Sequence, residues 1–156
     1  MSSPDPVPPS ADAPTDEPRE AQVVRAFLAS LELLDVERAA SYLAPGVAYT
    51  NVSLPTIHGR EAVRRALGAF GRVASGFEAE NHSLVADGRV VLTQRTDVIE
   101  IGRLRIAFWV WGRFEVEDDR IVVWRDFFDW ANVTGGVLRG LAGVVVPGLR
   151  GGPAWR

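Results

Sequence analysis

Five polar side chains sit in stretches that otherwise read as apolar β-strand. They are Tyr49 and Asn51 in "VAYTNV", Arg95 and Asp97 in "LTQRTDVIEI", and Asp126 in "RIVVWRDFFDW". Residues two apart on a strand point to the same face. Tyr49 and Asn51 therefore share a face. So do Val91, Thr93, Arg95, Asp97, Ile99 and Ile101, and on the last strand Val122, Trp124, Asp126 and Phe128. If these faces meet, an apolar pocket holds a tyrosine, an asparagine, an arginine and two aspartates. Two carboxylates in one dry site cannot both ionise cheaply, so one keeps a proton and serves as acid while the other is a base. An arginine between them stays charged and can hydrogen-bond both. Tyrosine and asparagine can hold a water by donating and accepting hydrogen bonds. Such a set suits addition of water to a strained electrophile, with no covalent nucleophile and no metal.

Each short motif also has an ordinary reading. An Arg–Asp pair on a strand is commonly a solvated ion pair worth ~0–1 kcal/mol. Tyr49 fits an amphipathic core position, and Asn51 fits a turn before the proline loop. Three separate strands breaking pattern together are harder to assign to the solvated side of a sheet.

The elements that would position these groups follow from periodicity. Val23, Val24, Phe27, Leu28 and Leu31 recur at three- and four-residue spacing, which predicts a helix over 19–34. Asp35 can cap a shorter helix to about Leu43, with Pro45-Gly46 as its stop. A short strand, the loop "SLPTIHG" and a helix over 60–73 follow. After Gly76 the pattern changes to strands over 77–86, 89–101, 104–116 and 120–130, separated by the turn signals Asp87-Gly88, Gly102 and "EDD". Val137, Leu138, Leu141, Val144 and Val145 form a last helical stripe, broken by Pro147. Helices first and then consecutive strands predict an α+β fold, a mostly antiparallel sheet wrapped around N-terminal helices with a conical pocket between them.

Composition narrows the function. Of 156 residues, the first 18 hold six of the ten prolines and almost no large apolar side chain, so residues 1–18 are expected to be a disordered acidic tail. Residues 19–150 are expected to form one domain and 151–156 a flexible end. A net charge of −3 gives no footprint for nucleic acid. The absence of cysteine excludes disulfides and thiolate chemistry and fits a cytoplasmic protein. Its two histidines lack partners at metal-ligand spacing. All 17 basic residues are arginine, which excludes lysine chemistry. No apolar run is long enough to span a bilayer.

With "YTN", "RTD" and "WRDFFD" in that order on three strands, the chain resembles the limonene-1,2-epoxide hydrolase family. That family has the cone-shaped fold of nuclear transport factor 2 and ketosteroid isomerase. The stretch "RIAFWVWGRFEVEDDRIVVWRDFFD" and the tail "LRGLAGVVVPGL" are similar to an actinobacterial branch associated with bulky, lipid-like or sterol-like epoxides. The resemblance implies a cofactor-free enzyme that opens an apolar epoxide to a vicinal diol in one step. It implies that Tyr49, Asn51 and Asp126 hold the water, with Asp126 as base. Asp97 would be the acid, and Arg95 would bridge the two carboxylates. Pocket walls are expected at Phe27, Leu31, Phe70, Ile99, Phe108, Val110 and Phe128. Trp109, Trp111 and Phe127 alternate with pocket residues, so they form an outer apolar patch, and a homodimer through that face is expected. A ketosteroid-isomerase-like enzyme, an epoxide-opening cyclase and a non-catalytic binding module of the same fold remain alternatives. Arg95 beside the carboxylates argues against the first of these.

Overall fold

The computed structural model describes residues 17–145. The expectations for the N-terminal tail, except at Glu17 and Pro18, and for residues 151–156 and Pro147 lie outside them. Glu17 and Pro18 belong to the folded unit: Glu17 pairs with Arg25 at 2.7 Å, and the Pro18 carbonyl accepts from Gln22.

The chain runs α1 (Arg19–Glu32), α2 (Val36–Ser41), β1 (Leu43–Asn51), β2 (Ile57–His58), α3 (Arg60–Val73), β3 (Gly76–Asp87), β4 (Val90–Ile101), β5 (Leu104–Glu117), β6 (Arg120–Phe127) and α4 (Trp130–Val145). Asp35 caps α2 by accepting from the Arg38 amide at 3.0 Å. The β5–β6 hairpin turns on Asp118 and Asp119, both at positive φ (48° and 60°), as a two-residue turn matched to strand twist requires. Six strands make one open sheet in the order β2-β1-β6-β5-β4-β3. All neighbours are antiparallel except β1 and β6, which are parallel. The α+β architecture with a mixed sheet is therefore as the sequence predicts.

Two boundaries differ from expectation. β1 begins at Leu43 and runs through Pro45-Gly46, with a register shift before Ala48. β6 ends at Phe127 because Asp129 caps a helix: its carboxylate accepts from the Ala131 amide and its carbonyl from the Val133 amide. Trp130 thus opens α4 instead of closing the sheet.

The inner sheet face and the helices enclose the core. Val23, Val24, Phe27 and Leu28 of α1 pack with Val63, Phe114, Ile121 and Trp124. One expected face is corrected here. Val122 does not share the inner face with Trp124, because β6 carries an extra residue between Ile121 and Val123. That bulge turns Ile121 into the core instead.

Candidate active site

Above this core lies a cavity of about 460 Å³, lined by all four helices, the sheet's inner face and the loop at Leu54. Tyr49, Asn51, Arg95, Asp97 and Asp126 all line it. The parallel register places Asn51 beside Asp126 and Tyr49 beside Trp124. Tyr49 stacks on the Trp124 indole with centroids 3.9 Å apart. Its hydroxyl accepts from Asn51 Nδ2 at 2.8 Å, which leaves the phenolic proton free to be donated.

Arg95 is the hub. It is 1 % exposed, and Asp97 and Asp126 are 6 % and 5 % exposed. Its Nε donates to Asp97 Oδ1 at 2.7 Å and its Nη2 to Asp97 Oδ2 at 3.2 Å. The same Nη2 lies 2.9 Å from Asp126 Oδ1 as an ion pair, and Nη1 donates to Thr93 Oγ1 at 3.1 Å. Asp126 Oδ1 meets no other donor among the described residues, so this carboxylate keeps acceptor capacity.

Electrostatics separate the ionisable groups. Burial pushes the Asp97 carboxyl up to about 6 against the opposing pull of Arg95, with Asp126 and Glu32 adding to the rise. Asp97 can therefore carry a proton close to neutrality. Burial works against the Arg95 charge, but Asp126 and Asp97 outweigh it and hold its pKa above the ordinary value. Burial, and then the Asp126 carboxylate, raise the Tyr49 pKa, so the phenol stays protonated.

Leu31, Phe70, Ile99, Phe108, Val110 and Phe128 line the cavity. Phe27 does not, and that expectation is corrected. It sits one helical turn deeper than Leu31, is fully buried, and packs edge-on against Trp124 and Phe114. The sequence reading also missed several residues. Leu67, Phe77, Ile106, Trp124, Trp130, Val133 and Val137 all line the cavity. Thr93 and Gly112 form the seat of Arg95: a Cβ at Gly112 would strike Arg95 Nη1 and Thr93 Oγ1. A glycine inside the aromatic strand "WVWGRF" is a legible sign of close approach. No local signal aims α4 at the pocket.

On the outer face, Trp109 packs edge-on against Trp111 at 5.6 Å, and Trp111 pairs with Phe127. No helix among the described residues is long and apolar enough to cross a membrane.

Comparison with known proteins places this geometry. Residues 18–139 match the model of the limonene-1,2-epoxide hydrolase catalytic domain. The chain is 44 % identical over 128 residues to epoxide hydrolase EphG of Mycobacterium tuberculosis, covering 81 % of this chain and 85 % of that protein. A solved M. tuberculosis LEH-like epoxide hydrolase superposes with a TM-score of 0.80 at 40 % identity, over 86 % of this chain and 96 % of the other. A SnoaL-like polyketide cyclase structure from Shewanella denitrificans shares the fold alone, with a TM-score of 0.72 at 13 % identity over 78 % of this chain and 98 % of its own. The site lies within the matched segment, and the chain belongs to the limonene-1,2-epoxide hydrolase family.

Proposed function

We propose that the protein is an epoxide hydrolase that adds water to an apolar epoxide in one general acid–base step. One observation carries this reading: a single buried arginine touches both Asp97 and Asp126, and the hydrogen-bonded Tyr49–Asn51 pair lies on the strand next to Asp126. Tyr49 donates to a water, Asn51 accepts from it, and Asp126 takes its proton as the oxygen attacks an epoxide carbon. The carbon–oxygen bond of the ring breaks as Asp97 donates its proton to the leaving oxygen. The product is a vicinal diol, and the proton gained by Asp126 returns to Asp97 through solvent. Arg95 keeps the two carboxylates in register. Acid, base and nucleophile are all accounted for without a cofactor.

The cavity volume and its aliphatic and aromatic lining favour a bulky apolar epoxide over a small one. A cysteine-free chain suits the reducing cytoplasm. A homodimer through the outer sheet face belongs to the same reading. Trp111 and Phe127 are paired there, 40 % and 38 % exposed. Light scattering on wild type and Trp111→Arg checks it, with a dimeric mass expected only for wild type.

The test of the reaction is turnover of small and bulky epoxides in oxygen-18 water. One labelled hydroxyl in the diol is the expected result. A ring-opened product without label would assign a cyclase, and no turnover of any epoxide would overturn the proposal.

A further inference from the structure

Arg95 ties Asp97 and Asp126 together, but among the described residues no hydrogen bond joins the side chains of Tyr49 and Asn51 to any of these three. Tyr49 and Asn51 bond only to each other. Polar contacts therefore fix the carboxylates against the arginine, and packing must place the tyrosine and asparagine beside them.

The packing partner is Trp124, which lines the cavity and is 4 % exposed. Its indole stands on the sheet between Tyr49 of β1 and Phe114 of β5, its neighbours in register. Tyr49 lies face-on at 3.9 Å with the planes 25° apart, and Phe114 is nearly parallel at 6.3 Å. Phe27 of α1 closes an edge at 4.9 Å. Phe27 and Phe114 are fully buried, so the indole is held by the core and the phenol is held by the indole.

Two features show that this contact is specified by the chain. β1 pairs Leu43 with Ile121 but Ala48 with Val123, so five residues of β1 advance against two of β6. Even pairing from Leu43 would set Gly46 beside Trp124; the irregularity brings Tyr49 there instead. The second feature is the indole nitrogen. Trp124 Nε1 is buried and has no acceptor among the described residues. A buried N–H without a partner is costly, and phenylalanine would fill the site without that cost. What the indole has beyond a phenyl ring is a broader face for Tyr49 to lie on.

We propose that Trp124 is a positioning residue of the reaction, holding the Tyr49 ring so that its hydroxyl meets the water beside Asp126. The inference rests on the proposed hydrolysis and adds to it a residue that touches neither water nor epoxide. Misplacing a group by about 1 Å can cost about 10²-fold in rate.

A double-mutant cycle tests it with an epoxide that wild type turns over. Trp124→Leu is expected to lower kcat about tenfold or more with KM changed less than about threefold. Trp124→Phe, whose ring can still stack, is expected to lie between wild type and Trp124→Leu. In a Tyr49→Phe background the hydroxyl is gone, and Trp124→Leu should lower the residual kcat by less than about twofold. Equal losses in both backgrounds overturn the proposal, because a merely structural residue would cost the same with or without the hydroxyl. Should Trp124→Leu fail to fold by circular dichroism, Trp124→Phe closes the same cycle. A second readout needs no substrate. 3-Fluorotyrosine labels the two tyrosines, Tyr42 and Tyr49, and Tyr49→Phe assigns their fluorine resonances. The Tyr49 line is expected to be narrow and displaced by the indole ring current, and to lose that displacement and broaden in Trp124→Leu. An unchanged line overturns the proposal. If wild type turns over no epoxide, the reaction itself falls, and the fluorine line still decides whether Trp124 fixes the Tyr49 ring.

Discussion

Gly112 leaves open the space that the Arg95 guanidinium fills. It pairs with Thr93 on one side and Asp126 on the other, so Arg95 reaches Asp126 by leaning over this one residue without a side chain. Gly112→Ala is therefore expected to displace the guanidinium and split the two carboxylates. Overpacking of this kind costs about 1–3 kcal/mol. Denaturant unfolding should show that loss, and kcat should fall about tenfold or more; a fully active variant would mean that Arg95 needs no such seat.

Asp97→Asn and Asp126→Asn each remove one proton-transfer partner while keeping side-chain volume. Each is expected to lower kcat by about 10²- to 10⁴-fold, the usual contribution of a general acid or base. Circular dichroism should report an intact fold. Activity near wild type in either variant would show that the pair is misassigned.

Arg95→Lys keeps the charge but replaces a planar fork with a point donor that cannot serve both carboxylates at once. Loss of a bridging partner at a buried charge is costly, because the remaining carboxylate is left without compensation. Steady-state kinetics should show kcat reduced by about 10²-fold or more, with KM changed far less, since Arg95 holds the carboxylates and not the substrate.

The Asp97 carboxyl, held near 6, sets a pH signature. If its protonated form is the acid, kcat/KM of the free enzyme should fall along a one-proton limb as pH rises through about 6. Stability has the same sign. The folded chain holds this proton more tightly than the unfolded chain, so the contribution is full below about pH 4 and lost as pH rises through about 6. Thermal melts between pH 4 and 7 should show wild type losing more stability with rising pH than Asp97→Asn, and equal slopes would contradict the assignment.

Phe27 and Phe108 separate core from pocket. Phe27→Ala empties a fully buried site between Phe114 and Trp124 and is expected to cost about 3–5 kcal/mol with KM little changed. Phe108→Ala enlarges the cavity wall. It should raise KM for apolar epoxides several-fold at a smaller cost in stability.

Much of this protein was legible because local patterns carry face information. A two-residue period puts Arg95 and Asp97 on one side of β4 whatever the rest of the chain does. A three- and four-residue period likewise defines the apolar stripes of α1 and α3, and paired turn residues separate the long strands. What only the tertiary structure decided is which faces meet and how deep each residue lies. Arg95 and Asp126 are two strands apart, and their contact depends on strand order, register and the gap at Gly112. One helical turn separates core Phe27 from pocket-lining Leu31, a distinction the stripe itself does not contain. The extra residue at Val122 reverses an alternation that sequence parity alone would continue. α4 faces the cavity because Asp129 ends β6 early and the free edge of β5 accepts a glycine-lined helix. Pairing, bulges and burial depth are settled by long-range packing, and no window of sequence short enough to show a period is long enough to contain them.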